Sequence, residues 1–236
     1  MIRDHGNAML TNRQLIVPYV LPYFAYVAIA SVPVDILSRE VSYGLRLAVV
    51  GALLFWARRW YCPLTGPGSR TGSVLWGIGA GVVGAGVWVG LLTPFVSAGT
   101  VPEWSGLAVG LRFLAAGALV PIFEEIMMRG YVFRVALQWG QERRKGAGSA
   151  LHAALDDKSL LEVRPGEWSW IAVAFSTLVF TAGHNMPEWP ASVAYGLLMC
   201  LLWIRRKDLL TCIVAHATTN VALAIFVLAT GHWQYW

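Results

Sequence analysis

The sequence predicts an all-α polytopic membrane protein, and three observations carry that reading. Charged residues make up 13% of the 236-residue chain and hydrophobic ones 57%, whereas a soluble domain is about a quarter charged. Several runs without charge reach the roughly 18 residues that mark a membrane-spanning helix. The basic residues collect in clusters between those runs, as they do in cytoplasmic loops. That placement ties the net charge of +5 to topology and speaks against a nucleic-acid surface. The expected surroundings are the lipid bilayer, and residues 1–236 read as a single membrane domain.

Seven apolar runs follow in order. The first, Leu15 to Val34, carries Pro18 and Pro22, which a membrane helix tolerates. Ala28-Ile29-Ala30 resembles a small-residue cleavage site, so a signal peptide is the competing reading of this run. The second, Tyr43 to Trp56, is extended by Arg46 and Arg58 snorkelling from its ends. The third, Gly72 to Val96, is free of charge, and its glycines at 77, 81, 84, 86 and 90 allow close approach of a neighbouring helix. The fourth, Ser105 to Gln138, is longer than one crossing needs and is expected to kink at Pro121. A polar loop, Trp139 to Glu167, separates it from the last three runs: Trp168 to Thr181, Pro190 to Ile204 and Leu209 to Thr230. Cys62, Cys200 and Cys212 form no C-x-x-C pair and read as small apolar fillers.

Loop charge orients the bundle. With the N-terminus cytoplasmic, 14 Lys and Arg fall in inside segments and 2, Arg39 and Arg46, outside; that asymmetry predicts N-in, C-out. The two remaining basic residues, Arg112 and Arg129, lie within the fourth run.

A charge at mid-bilayer costs about 2.5–3.5 kcal/mol even on insertion scales. Charged and strongly polar residues inside the runs therefore face the bundle interior or a wet cavity. Those so placed are Arg112, Glu124, Glu125, Arg129, His184, His216 and Asn220. Glu125 and Arg129, four apart, pair along one helix face. Glu124 lies about 100° around the helix with no partner of its own, which suits a carboxyl that takes and returns a proton. Read alone, these three charges serve equally as a buried structural cluster. His184, alone before the turn Asn185-Met186-Pro187, reads as an interfacial residue. His216 and Asn220, again four apart, present a ring and an amide on one face. They are a donor pair for a developing oxyanion or a hydrogen-bonded link between helices. Taken together, a carboxylate, two imidazoles and an amide are the parts that activate water and stabilise a tetrahedral intermediate.

Glu-Glu-x-x-x-Arg at 124–129, Phe-x-x-x-His at 180–184 and His-x-x-x-Asn at 216–220 resemble the three motifs of the CPBP family. That family holds the CAAX-processing, Rce1-like intramembrane endopeptidases together with bacteriocin-processing and immunity proteins. The resemblance covers residues 105–230 and leaves 1–104 as three N-terminal spans. It implies a glutamate-dependent intramembrane endopeptidase acting on a membrane-anchored peptide or protein. By the same resemblance Glu124 is the general base that polarises the attacking water and His184 assists it. His216 and Asn220 form the oxyanion-stabilising pair, and Glu125 with Arg129 holds the geometry of the fourth helix. The family is regarded as metal-independent. Glutamate with two histidines is also a plausible zinc set, although the H-E-x-x-H helix of zinc proteases is absent. The chain is further similar to a bacterial CAAX prenyl protease-related subgroup linked to exosortase systems. An inner-membrane location is then expected, without any inherited prenylated substrate.

Two other classes compete. A non-catalytic scaffold or immunity protein would keep the polar cluster for structure or binding. A proton or solute transporter would use intramembrane Glu and His as a relay, but the sequence carries no internal repeat of the kind such folds use. The protease reading makes one geometric demand. Counted from the cytoplasmic ends, Glu124 and His216 lie about 12–20 Å deep and His184 deeper. A shared site then requires a tilted fifth helix or a bend near Gly183. Arg112 is left between snorkelling, pairing with Glu103 and lining the cavity.

Overall fold

The computed structural model describes residues 9–97, 104–146 and 148–236. Eight helices follow one another: α1 (Asn12–Ala30), α2 (Arg39–Ala57), α3 (Arg70–Leu92), α4 (Gly106–Arg144), α5 (Ala150–Asp156), α6 (Trp170–Ala182), α7 (Trp189–Arg206) and α8 (Leu209–Thr230). Among the described residues there is no strand, so the all-α membrane fold read from the sequence holds. Every one of the seven apolar runs overlaps a helix. Five helices, α1, α2, α3, α4 and α8, are long and apolar enough to cross a membrane. α6 is equally apolar but has 13 residues, about 20 Å at 1.5 Å each, against a hydrocarbon core of about 30 Å.

The packing is inside-out relative to a soluble protein. Phe24, Phe55, Leu75, Trp76 and Leu178 are more than half exposed, whereas Glu125 and Arg129 have no exposure at all. Lipid solvates the first group; only other protein atoms solvate the second.

Prolines and glycines act here through the backbone groups they free or admit. Pro22 inside α1 cannot donate to the carbonyl of Pro18; the Tyr61 hydroxyl donates to that oxygen at 3.0 Å. Gly77 and Gly81 put the backbone of α3 against that of α8. A Cβ on Gly81 would stand 2.5 Å from the carbonyl oxygen of Ala215, so no larger residue fits without separating the helices. Thr219 of α8 uses the closeness, donating to the Gly81 carbonyl at 2.8 Å.

Polar ends differ from the sequence-based bounds for local reasons. α1 starts three residues before Leu15 because Thr11 and Gln14 form a reciprocal capping box. Asn12 is then buried, donating to Gln138 at 2.6 Å and to the Ala154 carbonyl at 2.7 Å. The loop expected from Trp139 onward begins only after Arg144. Hydropathy falls there, but Gln141, Glu142, Arg143 and Arg144 are good helix formers, so the helix outlasts its apolar stretch.

Candidate active site

α4 is continuous through Pro121 because two π-helical segments, Ala115–Leu119 and Ile126–Val132, flank the turn Val120–Glu125. In the first of them the Val120 amide reaches back five residues to Ala115. The next amide in that register belongs to Pro121, which has none, so the Ala116 carbonyl is left without a helical donor. Asn220 supplies one: its side-chain amide donates to Ala116 at 2.8 Å. π-bulges of this kind are frequent at functional sites.

One turn on, the buried charges are tied together. Arg129 lies 3.2 Å from Glu125 and donates at 3.0 Å to the Gly196 carbonyl of α7. Its guanidinium also sits 5.6 Å from the ring centre of Phe180 on α6. Glu125 meets Nδ1 of His216 at 3.0 Å. Because the ion-paired carboxylate only accepts, Nδ1 carries the proton and the free face of the ring is Nε2. One salt bridge thus joins α4, α6, α7 and α8 and sets the tautomer of a histidine.

Glu124 is outside that network. Its Oε2 is 3.8 Å from Nε2 of His216, too far for a hydrogen bond. It faces a cavity of about 180 Å³ lined by His184, His216 and Asn220 as well. The bend demanded near Gly183 is present: α6 stops at Ala182, and Gly183 and His184 turn back by bonding to Phe180 and Thr181. A helix too short to cross thereby delivers His184 to the level of Glu124. His184 donates Nδ1–H to the Phe180 carbonyl at 2.8 Å, since a carbonyl can only accept, and its Nε2 is left available. Trp88, 5.4 Å away between ring centres, and Phe180, 4.6 Å away, enclose the ring.

The structure thus gathers Glu124, His184, His216 and Asn220 at one cavity, with Glu125 and Arg129 behind them. Sequence reasoning missed Trp88, Glu188, Tyr195 and Thr219, which also line the cavity. The Tyr195 hydroxyl donates to Thr219 at 3.0 Å. Only the glycine spacing of the third run, which lets a neighbouring helix approach closely, hinted that α3 would contribute. Arg112 lines the cavity, with its guanidinium 4.9 Å from the Trp104 ring and 4.5 Å from Trp236; Glu103 lies outside the described residues. Among the described residues no three His, Cys, Asp or Glu side chains are grouped to hold a metal ion, so the zinc set considered above does not fit this arrangement.

Neither the curated proteins nor the solved structures yield a match to the chain. A family model does: residues 106–222 match the family described as type II CAAX prenyl endopeptidase Rce1-like. The matched stretch contains all three motifs and every residue of the polar cluster. Membership implies a protease, and the apolar helices make it an integral membrane one. Residues 106–222 are thus a type II CAAX prenyl endopeptidase Rce1-like domain, consistent with the CPBP family.

Proposed function

We propose that the protein is a glutamate-dependent intramembrane endopeptidase that hydrolyses a peptide bond of a membrane-anchored peptide or protein. The observation that carries this reading is the unequal treatment of two adjacent carboxylates. Glu125 is held at hydrogen-bond distance by Arg129 and by Nδ1–H of His216, while Glu124 stands 3.8 Å from Nε2 of His216, beyond hydrogen-bond reach, at the cavity wall. A purely structural cluster has no use for the second, costly charge.

In the proposed reaction Glu124 takes a proton from water as the oxygen attacks the scissile carbonyl carbon, with Nε2 of His184 accepting from the same water. The oxyanion is met by Nε2–H of His216 and by the Asn220 amide hydrogen that Ala116 does not use. His216 donates there as an imidazolium, since its neutral ring already spends its one proton on Glu125. Collapse of the intermediate breaks the C–N bond, and Glu124 returns the proton to the leaving amine. Water is activated by carboxylate and imidazole, without a metal.

We further place the N-terminus in the cytoplasm of a bacterium, which directs the mouth of the cavity, at Arg112 and Glu188, toward the outer face of the inner membrane. The test uses proteoliposomes holding the purified chain and a set of peptides anchored by acyl or prenyl chains, in ¹⁸O-labelled water. Hydrolysis puts one ¹⁸O into each new carboxyl group, and chelator leaves the rate unchanged. No cleavage of any anchored peptide by wild type would favour the scaffold reading. Loss of activity with chelator and its return with zinc would overturn the metal-free step.

A further inference from the structure

A second cavity, of about 540 Å³, opens at the other end of the bundle, where the basic loops gather. Arg134 lies ten residues beyond Glu124, about 15 Å along α4, and lines it together with Cys62, Thr65, Leu161, Trp203 and Lys207. No acidic side chain is among its lining residues. The volume is in the range of small-molecule sites.

Two independent features show that this cavity is built around positive charge. The first is burial without a counter-ion. Arg134 is 4% exposed, yet among the described residues it forms no ion pair. It donates once, to the Leu160 carbonyl at 3.1 Å. Its guanidinium sits 4.9 Å from the ring centre of Trp203, and no described carboxylate lies within ion-pair distance of it. Buried cations are ordinarily paired; the partnered Arg129 shows that this chain can provide for one.

The second feature is the backbone of Lys207. With φ of 62° it is the one non-glycine residue among those described that adopts the left-handed conformation. It does so at the C-cap of α7, where glycine is the favoured residue. A lysine there carries a side chain at a cost in backbone strain. The stem of that exposed side chain runs over Gly166: a Cβ there would fall 2.5 Å from the Lys207 Cγ. Lys207 also has no ion pair among the described residues.

The geometry points to a binding site for a phosphate-bearing anion, with Lys207 and Arg134 supplying charge and Thr65 a hydroxyl donor. Arginine and lysine are the residues ordinarily used to hold phosphate. The phosphate can come from an anionic lipid headgroup or from a soluble ion, and the experiment separates the two.

The full-length protein is melted in neutral detergent with inorganic phosphate, using chloride at equal ionic strength as control. It is also melted in nanodiscs of phosphatidylglycerol or phosphatidylcholine. The variants are Lys207→Gly, which relaxes the backbone, and Arg134→Gln. A soluble ligand predicts that phosphate raises the wild-type Tm by a few degrees and that Lys207→Gly weakens its apparent affinity about tenfold or more. A headgroup predicts no phosphate effect but a higher Tm in phosphatidylglycerol, lost in Lys207→Gly. If Arg134→Gln does not fold, Lys207→Gly decides alone. Wild type indifferent to both, or Lys207→Gly responding as strongly as wild type, overturns the site.

Discussion

Replacing Glu124 and Glu125 one at a time by glutamine separates chemistry from architecture, because the two substitutions are sterically alike and electrostatically opposite. Glu125 has no exposure and neutralises Arg129, also without exposure, at 3.2 Å. Glu125→Gln leaves a guanidinium buried without its counter-charge, and breaking such a pair costs about 3–5 kcal/mol. It also removes the acceptor that orients His216. Glu124 retains 16% exposure on the cavity side, and its nearest cationic group, His216, is 3.8 Å away. Glu124→Gln therefore strips no cation of its partner, and its effect on stability is within about 1 kcal/mol. Removal of a general base lowers the rate about 10²–10⁴-fold, or about 3–5 kcal/mol of barrier. Stability is read with a thiol-reactive dye, since Cys62, Cys200 and Cys212 are all free and buried and react only on unfolding. Turnover is read by ¹⁸O incorporation in the same proteoliposomes. Glu124→Gln cleaving within tenfold of wild type removes the glutamate from the chemistry. A Glu125→Gln protein as stable as wild type refutes the structural role of the buried pair.

Three further outcomes are expected. Gly81→Ala forces a methyl to within 2.5 Å of the Ala215 carbonyl; separating α3 from α8 costs about 1–3 kcal/mol, and an unchanged dye-monitored Tm would refute the close backbone contact. Asn220→Leu leaves the Ala116 carbonyl without its donor, destabilising by about 1–3 kcal/mol as well as slowing cleavage; loss of activity at full stability would mean that the amide serves only the reaction. Hydrogen bonds and charge from Arg13 hold the Asp156 carboxyl below its ordinary value. The stabilisation is present above the unfolded pKa of about 3.9 and is lost as pH falls through the lower folded value. Melting curves of wild type and Asp156→Asn should differ at neutral pH and converge as the pH falls through the lowered folded value; a gap unchanged in acid would show that this tie is not ionic.

Composition and periodicity were sufficient for the class of fold, because transfer into lipid is a property of each segment by itself. A run of some twenty apolar residues partitions whatever its neighbours do, and the positions of α1 to α4 and α8 follow from that. The polar residues of the site were legible for the same reason: an expensive group inside such a run is conspicuous in the sequence alone. Pairing along one helix was equally readable, so Glu125 with Arg129 came from their spacing.

What the chain could not disclose locally is how contacts between distant segments divide the labour among those groups. That Glu124 faces the cavity while Glu125 is enclosed depends on the π turns of α4 and on His216, 91 residues away from Glu125 in the chain. That Asn220 answers the carbonyl freed by Pro121, and that α6 ends short enough to bring His184 to the same cavity, are likewise consequences of packing. The unpaired Arg134 beside Lys207 could not be foreseen either: next to basic loops in sequence it reads as one more cytoplasmic charge, and only burial under Trp203 and Leu160 makes it a cation without an anion. Segment hydrophobicity sums residue by residue; hydrogen-bond and charge satisfaction exist only between partners, and those partners meet only in the folded bundle.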